Sequence, residues 1–266
     1  MEAVTRFASR PAAGCLIDSH CHLDAPELAG DVDGVVARAR AAGVGQLLVP
    51  AVTAGNFDAV LAMRQRYGCW IAFGLHPIYL SQHLDDHLAL LDAALAAHAP
   101  VAVGEIGLDF YLPELDPMRQ EALLVEQLKL ARKHGLPAVL HVRRSVDRVL
   151  KHLREQKVEG GIAHAFNGSE QQAEAFIRQG FKLGFGGAMT YSGSRRIRAL
   201  AATLPLDSLV LETDAPDIRP EYAQDVPNEP AQLARFITVL AELRGMDVST
   251  LRDALHANTL AALGLA

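Results

Sequence analysis

Cysteine is scarce in this chain, and the scarcity bounds its chemistry. Cys15, Cys21 and Cys69 are the only three in 266 residues. An odd number without framework spacing excludes a disulfide scaffold and suits a reducing compartment, so a cytoplasmic location is expected. A long uncharged apolar run is also lacking, which excludes a membrane-spanning helix of about 20 residues. Residues 1–14 hold Arg6, Arg10 and Pro11 but no apolar core such as a secretory signal needs. They read as a flexible N-terminal extension. Nor is there a basic excess: the formal net charge is −6 with eleven histidines uncounted. A protein that wraps duplex DNA draws its affinity from phosphate neutralisation, so tight duplex binding is disfavoured. A nucleic-acid end held at a local cationic or metal site stays compatible with this charge. No linker or compositional shift divides the chain, no membrane contact is expected, and nothing points to an obligate protein partner.

What the chain does have is apolar residue in quantity, 50% of the whole, arranged as short strands alternating with amphipathic stretches. Strands are expected at 15–17, 46–50, 69–74, 101–105, 137–141, 161–164, 181–184 and 208–213. Apolar residues at helical spacing predict helices over 31–42, 56–67, 84–98, 118–134, 145–156, 170–179 and 194–202, with two more over 230–244 and 250–263. Continuous apolar strands, each followed by a helix, imply a parallel sheet with helices outside it. Eight such units at this length predict an α/β fold of one domain, a (β/α)8 TIM barrel over residues 15–266.

The chemistry gathers at strand ends. Ile17-Asp18-Ser19-His20-Cys21-His22 begins as a strand and ends in two histidines one residue apart. If extended geometry persists, His20 and His22 face one way and Cys21 the other. Glu105 ends the fourth strand, His141 the fifth and His164 the sixth, and Asp214 follows the eighth. In a barrel the C-terminal strand ends share one rim, where active sites are built. Singly, each residue has a plainer reading: Asp214 can cap a turn before Pro216, and either histidine can be hydrogen-bonded at the rim. Together, four imidazoles and two carboxylates exceed what one tetrahedral zinc needs. They predict two divalent ions bridged by Glu105, one held by His20, His22 and Asp214 and the other by His141 and His164. The mixed nitrogen and oxygen ligands fit zinc, manganese, iron or cobalt, and magnesium less comfortably. Asp214 would then accept the proton of the attacking water. His76, ending the third strand, faces the mouth for substrate contact or a structural hydrogen bond. Arg143, two residues after His141, either holds a phosphate oxygen or makes a rim salt bridge. His83, His87, His98, His134, His152 and His256 fall on expected helices or helix ends and read as surface residues.

In their order these segments resemble the TatD family of metal-dependent deoxyribonucleases, within the amidohydrolase-like barrel superfamily. The matching text is Ile17-Asp18-Ser19-His20-Cys21-His22-Leu23-Asp24, Gly74-Leu75-His76-Pro77, Gly104-Glu105-Ile106-Gly107-Leu108-Asp109, Leu140-His141-Val142-Arg143-Arg144, His164-Ala165-Phe166-Asn167-Gly168-Ser169 and Leu211-Glu212-Thr213-Asp214-Ala215-Pro216. Pro227-Asn228-Glu229-Pro230 and the closing Asn258-Thr259-Leu260-Ala261-Ala262-Leu263-Gly264 fit as well. The resemblance covers nearly everything from Leu16 onward; Asn167 departs from it, standing where serine is commoner. Carried over by position, it implies metal ligands at His20, His22, Glu105, His141, His164 and Asp214, with Asp214 as acid or base. It also implies magnesium- or manganese-dependent cleavage of DNA from a 3′ end, so single-stranded DNA is the expected partner. Some relatives remove D-amino acids from tRNA, which makes ester hydrolysis the alternative. A metal-binding or interaction protein without catalysis is the alternative of another class. The loop over 217–228, just after Asp214, is expected to decide between substrates.

Overall fold

The computed structural model describes residues 11–266, so most of the expected extension, residues 1–14, lies outside the described residues. Eight strands run parallel in sequence order: β1 (Leu16–Asp18), β2 (Val44–Pro50), β3 (Trp70–Phe73), β4 (Ala102–Asp109), β5 (Ala138–Arg143), β6 (Gly161–Ala163), β7 (Phe181–Phe185) and β8 (Leu209–Leu211). The connecting helices are α1 (Val32–Ala41), α2 (Phe57–Tyr67), α3 (His87–His98), α4 (Pro117–His134), α5 (Val146–Gln156), α6 (Glu170–Arg178) and α7 (Arg195–Thr203), and α8 (Leu233–Arg244) and α9 (Val248–Ala262) follow β8. The eight-stranded single-domain barrel expected from the alternation is therefore the observed fold.

Local chemistry explains the boundaries. In α4, Asp116 accepts from the backbone N–H groups of Met118 and Arg119, and Pro117 takes the first helical position, where no N–H is needed. Gly135 ends the helix at φ 59°, a left-handed turn that a side chain would oppose. Along each strand, alternate residues face opposite sides. One set (Ile17, Leu48, Trp70, Ala72, Val139, Ile162, Val210) packs into the barrel interior. The alternate set (Leu16, Ile71, Phe73, Leu140, Leu183, Leu211) packs outward against helix residues such as Leu91, Leu124 and Leu128. Leu260, Ala262 and Leu263 complete the inner cluster, and Asn258 donates to the carbonyls of Leu206 and Leu209 at the start of β8. The end of α9 thus closes the N-terminal side of the barrel and leaves the C-terminal side as its mouth.

Closure between β8 and β1 relies on few bonds. The Ser19 N–H donates to the Leu211 carbonyl at 3.1 Å, and the Asp214 N–H donates to the His20 carbonyl at 2.9 Å. Between them the Asp18 carboxyl accepts from the Thr213 N–H at 2.9 Å and meets the Thr213 hydroxyl at 2.6 Å. A side chain therefore joins the seam where strand pairing runs out.

The expected surface histidines need correction. His83 and His152 are buried, and His87, His98, His134 and His256 are half-buried. His83 follows a short helical turn, Pro77–Gln82, and its ring donates to the His76 carbonyl at 2.8 Å. His152 lies on the inner face of α5 and meets Glu121 of α4 at 2.8 Å. A helix position was readable in the sequence, but which face meets a neighbour depends on packing.

Candidate metal centre

β1 ends at Asp18, so His20 and His22 do not converge by strand alternation as expected. The chain bends instead, with Cys21 N–H donating to the Leu48 carbonyl at 3.0 Å and His22 N–H to the Ala215 carbonyl at 2.7 Å. These bonds send both imidazoles into the mouth, while Cys21 packs into the outer core. The other side chains come from the C-terminal halves of their strands or just beyond. β4 runs on past the expected end at Glu105 to Asp109, and a register irregularity between Val103 and Ile106 turns Glu105 inward. His141 lies within β5 and His164 just after β6. Asp214 follows β8 at φ 56°. This left-handed conformation is sparsely populated away from glycine, though Asp tolerates it better than most residues. Gly107 lets β4 run this close to β5, because a Cβ there would collide with the His141 carbonyl oxygen.

The six residues meet at the Glu105 carboxylate. Its Oε2 lies 3.1 Å from His20 Nε2 and 3.4 Å from His22 Nε2. Its Oε1 lies 2.9 Å from His164 Nε2 and 3.1 Å from His141 Nδ1. Asp214 Oδ1 completes the first side, 3.4 Å from His20 Nε2 and 3.7 Å from His22 Nε2. The structure thus brings all six together around one carboxylate with an oxygen toward each group.

The electrostatics follow from burial against pairing. Burial would raise the Glu105 carboxyl, but the surrounding imidazoles outweigh it and hold the group well below the usual range, hence ionised. Burial lowers His20 to about 3. Burial also opposes charge on His22, yet the hydrogen bond and charge of Glu105, with Asp214 and Asp24, carry it up to about 9. Asp214 is raised to about 6, chiefly by burial.

The donor set fits a divalent metal. His20 Nε2 and His22 Nε2 stand 3.2 Å apart and face the same two carboxylates. Among the described residues, every side-chain partner of Glu105 is an imidazole. Donor atoms of His20, His22 and Asp214 lie within 4.8 Å of one another, as do those of His20, Glu105 and His164. Neutral imidazoles with carboxylates are the ligands that manganese and zinc take.

His76 is 4% exposed, and its Nε2 lies 3.0 Å from Glu105 Oε1. Its Nδ1 accepts from the Ile78 N–H at 3.1 Å. A neutral ring that accepts at Nδ1 carries its proton on Nε2, so that nitrogen donates to Glu105. The structural hydrogen bond is therefore present, and the ring also lines the mouth. Arg143 is half-exposed with its guanidinium over the Tyr111 ring at 3.8 Å; the nearest acidic oxygen is Asp109 Oδ2, also at 3.8 Å. Both faces of its sequence reading are thus in view, a lining position and a long rim contact.

Three carboxyl groups escaped the sequence reading. Asp109 meets His141 Nε2 at 3.0 Å, which orients that ring with Nδ1 toward Glu105. Glu212 accepts from the Ala165 N–H and from Ser19 Oγ, and Asp18 holds the seam. The signal for Asp109 and Glu212 was parity: each lies an even number of residues from an assigned ligand, Glu105 or Asp214. Around the site the mouth opens into a cavity of about 1190 Å³, walled by Phe110, Tyr111, Arg143, Arg144, Arg196 and Ile218 among others. Asn228 pins the loop over 217–228 by donating to the Thr213 carbonyl at 2.8 Å.

Comparison with known proteins agrees with this architecture. YjjV of Escherichia coli, named an uncharacterized metal-dependent hydrolase, is 45% identical over 247 residues, which cover 91% of this chain and 95% of the relative. A Cronobacter sakazakii protein named 3′-5′ ssDNA/RNA exonuclease TatD is 35% identical over 253 residues, again 91% of this chain and 95% of the relative. The crystal structure of E. coli YjjV superposes with a TM-score of 0.91 at 44% identity, covering 94% of this chain and 98% of that one. Residues 17–264 match the family described as TatD related DNase, and the chain belongs to that family of metal-dependent hydrolases.

Proposed function

We propose that this chain hydrolyses phosphodiester bonds of single-stranded DNA from a 3′ end, with two divalent ions sharing Glu105. The observation that carries the reading is the divided carboxylate, with Oε2 toward His20 and His22 and Oε1 toward His141 and His164. His20, His22 and Asp214 would hold one ion and His141 and His164 the other, with Mg, Mn or Zn as the metal. Bound there, divalent ions lower the pKa of water and neutralise charge on a phosphoryl group. The family description and the name of the Cronobacter relative support nucleic acid as the substrate class.

The chain's own side chains do the remaining work. Asp214 is the more open of the two carboxylates, 12% exposed at the side chain against 2% for Glu105. It takes the proton from the attacking water as the water oxygen bonds to phosphorus and the phosphorus–ester oxygen bond breaks, and the departing oxygen gains a proton to leave as a hydroxyl. His76 donates to Glu105 and fixes the direction of its oxygens. Arg143 holds a non-bridging phosphate oxygen through its planar fork of donors.

The test is metal-reconstituted protein offered single-stranded DNA with a free 3′ end, RNA, D-aminoacyl-tRNA and small phosphoesters in parallel. Shortening of DNA from its 3′ end, dependent on added metal and stopped by a chelator, is expected. Asp214→Asn should fold, keep much of its metal and lose on the order of 10²–10⁴ in rate, the span usual for a general base. A near wild-type rate at full metal occupancy would put the proton acceptor elsewhere. Hydrolysis of D-aminoacyl-tRNA with no cleavage of DNA would keep the metal chemistry and remove the nuclease assignment.

A further inference from the structure

Some arginines on this surface are neutralised by acid. Arg38, Arg66, Arg148 and Arg178 each come within 3.3 Å of a carboxylate oxygen. Of the four guanidiniums that wall the cavity, Arg148 pairs with Glu121 and Arg143 makes a long contact to Asp109, while Arg144 and Arg196 have no acidic partner among the described residues. Arg144 has no carboxylate within 4.0 Å among the described residues and lies over the Tyr111 ring at 4.6 Å, beside Arg143 at 3.8 Å on the same ring. Arg196 gives Nε and Nη2 to a neutral acceptor, Asn167 Oδ1, at 3.2 and 2.7 Å. An aromatic face and an amide oxygen hold these side chains in place without cancelling their charge. Arg144 also sits at φ 54°, a backbone conformation that non-glycine residues rarely adopt and that concentrates at functional sites.

Their placement in the fold is consecutive. Arg143 ends β5 and Arg144 follows it, Asn167 lies in the loop after β6, and Arg196 is in the first turn of α7 after β7. The three loops are neighbours on the rim, because β5, β6 and β7 are neighbours in the sheet. The charge therefore forms an arc on one side of the mouth, outside the ring of imidazoles, in a chain whose net charge is −6. An uncancelled arc of guanidiniums beside a deep polar site suits a flexible polyanion whose end enters the site and whose next phosphates lie along the rim.

We propose that Arg144 and Arg196 form a track for the phosphates of a single strand beyond the bond being cut, so that the site acts better on an oligonucleotide than on a small phosphodiester. This rests on the reading of the site as a phosphodiesterase, and it assigns specificity to the arc after β5–β7 rather than to the loop over 217–228. Tyr111 and Asn167 are positioning residues in this scheme, since they hold the guanidiniums and need not touch the strand.

Two measurements test it. Binding of a 5′-fluorescein-labelled oligodeoxynucleotide is followed by anisotropy in EDTA, where no cleavage intervenes, across a range of salt. With Mn²⁺ added, kcat/KM is measured for the same oligonucleotide unlabelled and for bis(4-nitrophenyl) phosphate. For the Arg144→Ala, Arg196→Ala double variant, affinity should fall at least tenfold and the salt slope should drop by about 1.4, or about 0.7 for each phosphate no longer neutralised. The ratio of oligonucleotide to small-ester kcat/KM should fall at least tenfold, and Arg144→Lys, Arg196→Lys should restore part of the slope. Wild-type affinity and slope in the alanine variant, or no binding by the wild type, would overturn the track. Failure of the wild type to cleave either phosphodiester, with binding intact, would instead remove the phosphodiesterase reading.

Discussion

Glu105 is a buried carboxylate without a permanent cation beside it: its side-chain partners among the described residues are imidazoles, and their combined pull keeps it ionised. Such a group needs its direction fixed, and His76 fixes it through one donor to Oε1 while its other nitrogen accepts from Ile78 N–H. Burial lowers His76 to about 4, so the ring is neutral near pH 7 and the donor assignment holds. Replacing His76 by Ala removes one charge-assisted bond and leaves the Ile78 N–H unpaired, a loss of about 1.5–3 kcal/mol at the site. Kinetics and Mn²⁺ titration of His76→Ala should accordingly show kcat down by roughly 10- to 150-fold and weaker metal binding. A rise in KM with kcat and metal affinity unchanged would mean that the ring serves substrate alone.

At the scale of elements, the seam between β1 and β8 decides whether the first and last groups of the site stay together. Asp18 bonds to both edges, accepting from Thr213 N–H and His20 N–H. Burial pushes its carboxyl up to about 8, so it is neutral at pH 7. A neutral acid here can be copied by an amide: Asn keeps an acceptor for the two N–H groups, and its NH2 meets the Thr213 hydroxyl, which donates to Asp18 in the wild type and would turn to accept. Urea unfolding at pH 7 should find Asp18→Asn within about 1 kcal/mol of wild type and Asp18→Ala lower by about 2–4 kcal/mol, because truncation orphans buried donors. Equal losses in the two variants would argue against this pairing. The strands and helices themselves were legible, since apolar runs of four or five residues between amphipathic stretches leave little choice, and the gathering of Glu105, His141, His164 and Asp214 followed from strand order alone. What sequence could not supply was the seam, because Asp18 looks like any polar residue at a strand end until β8 lies beside it. The bend that turns His20 and His22 inward was hidden for the same reason, as it depends on carbonyls of Leu48 and Ala215 far along the chain. Asp109 was nearer to hand: it shares the inward parity of Glu105 on β4, and applying alternation to the whole strand would have found it.

For the molecule as a whole, the proposed anionic substrate would have to approach an acidic chain, and two features of the rim and site bear on that conflict. Arg144 and Arg196 on one rim have no acidic partner among the described residues, and the central cluster of imidazoles and carboxylates offers ligands for divalent cations. No helix among the described residues is long and apolar enough to cross a membrane, and Cys15, Cys21 and Cys69 are free thiols, so the barrel stands on packing and hydrogen bonds. Sharing of Glu105 between two ions is tested most directly by anomalous diffraction from crystals grown in saturating Mn²⁺. Two peaks about 3.5–4 Å apart are predicted, one beside His20 and His22 and the other beside His141 and His164, each reached by a different oxygen of Glu105. A single peak at saturation, or two peaks of which only one touches Glu105, would contradict it.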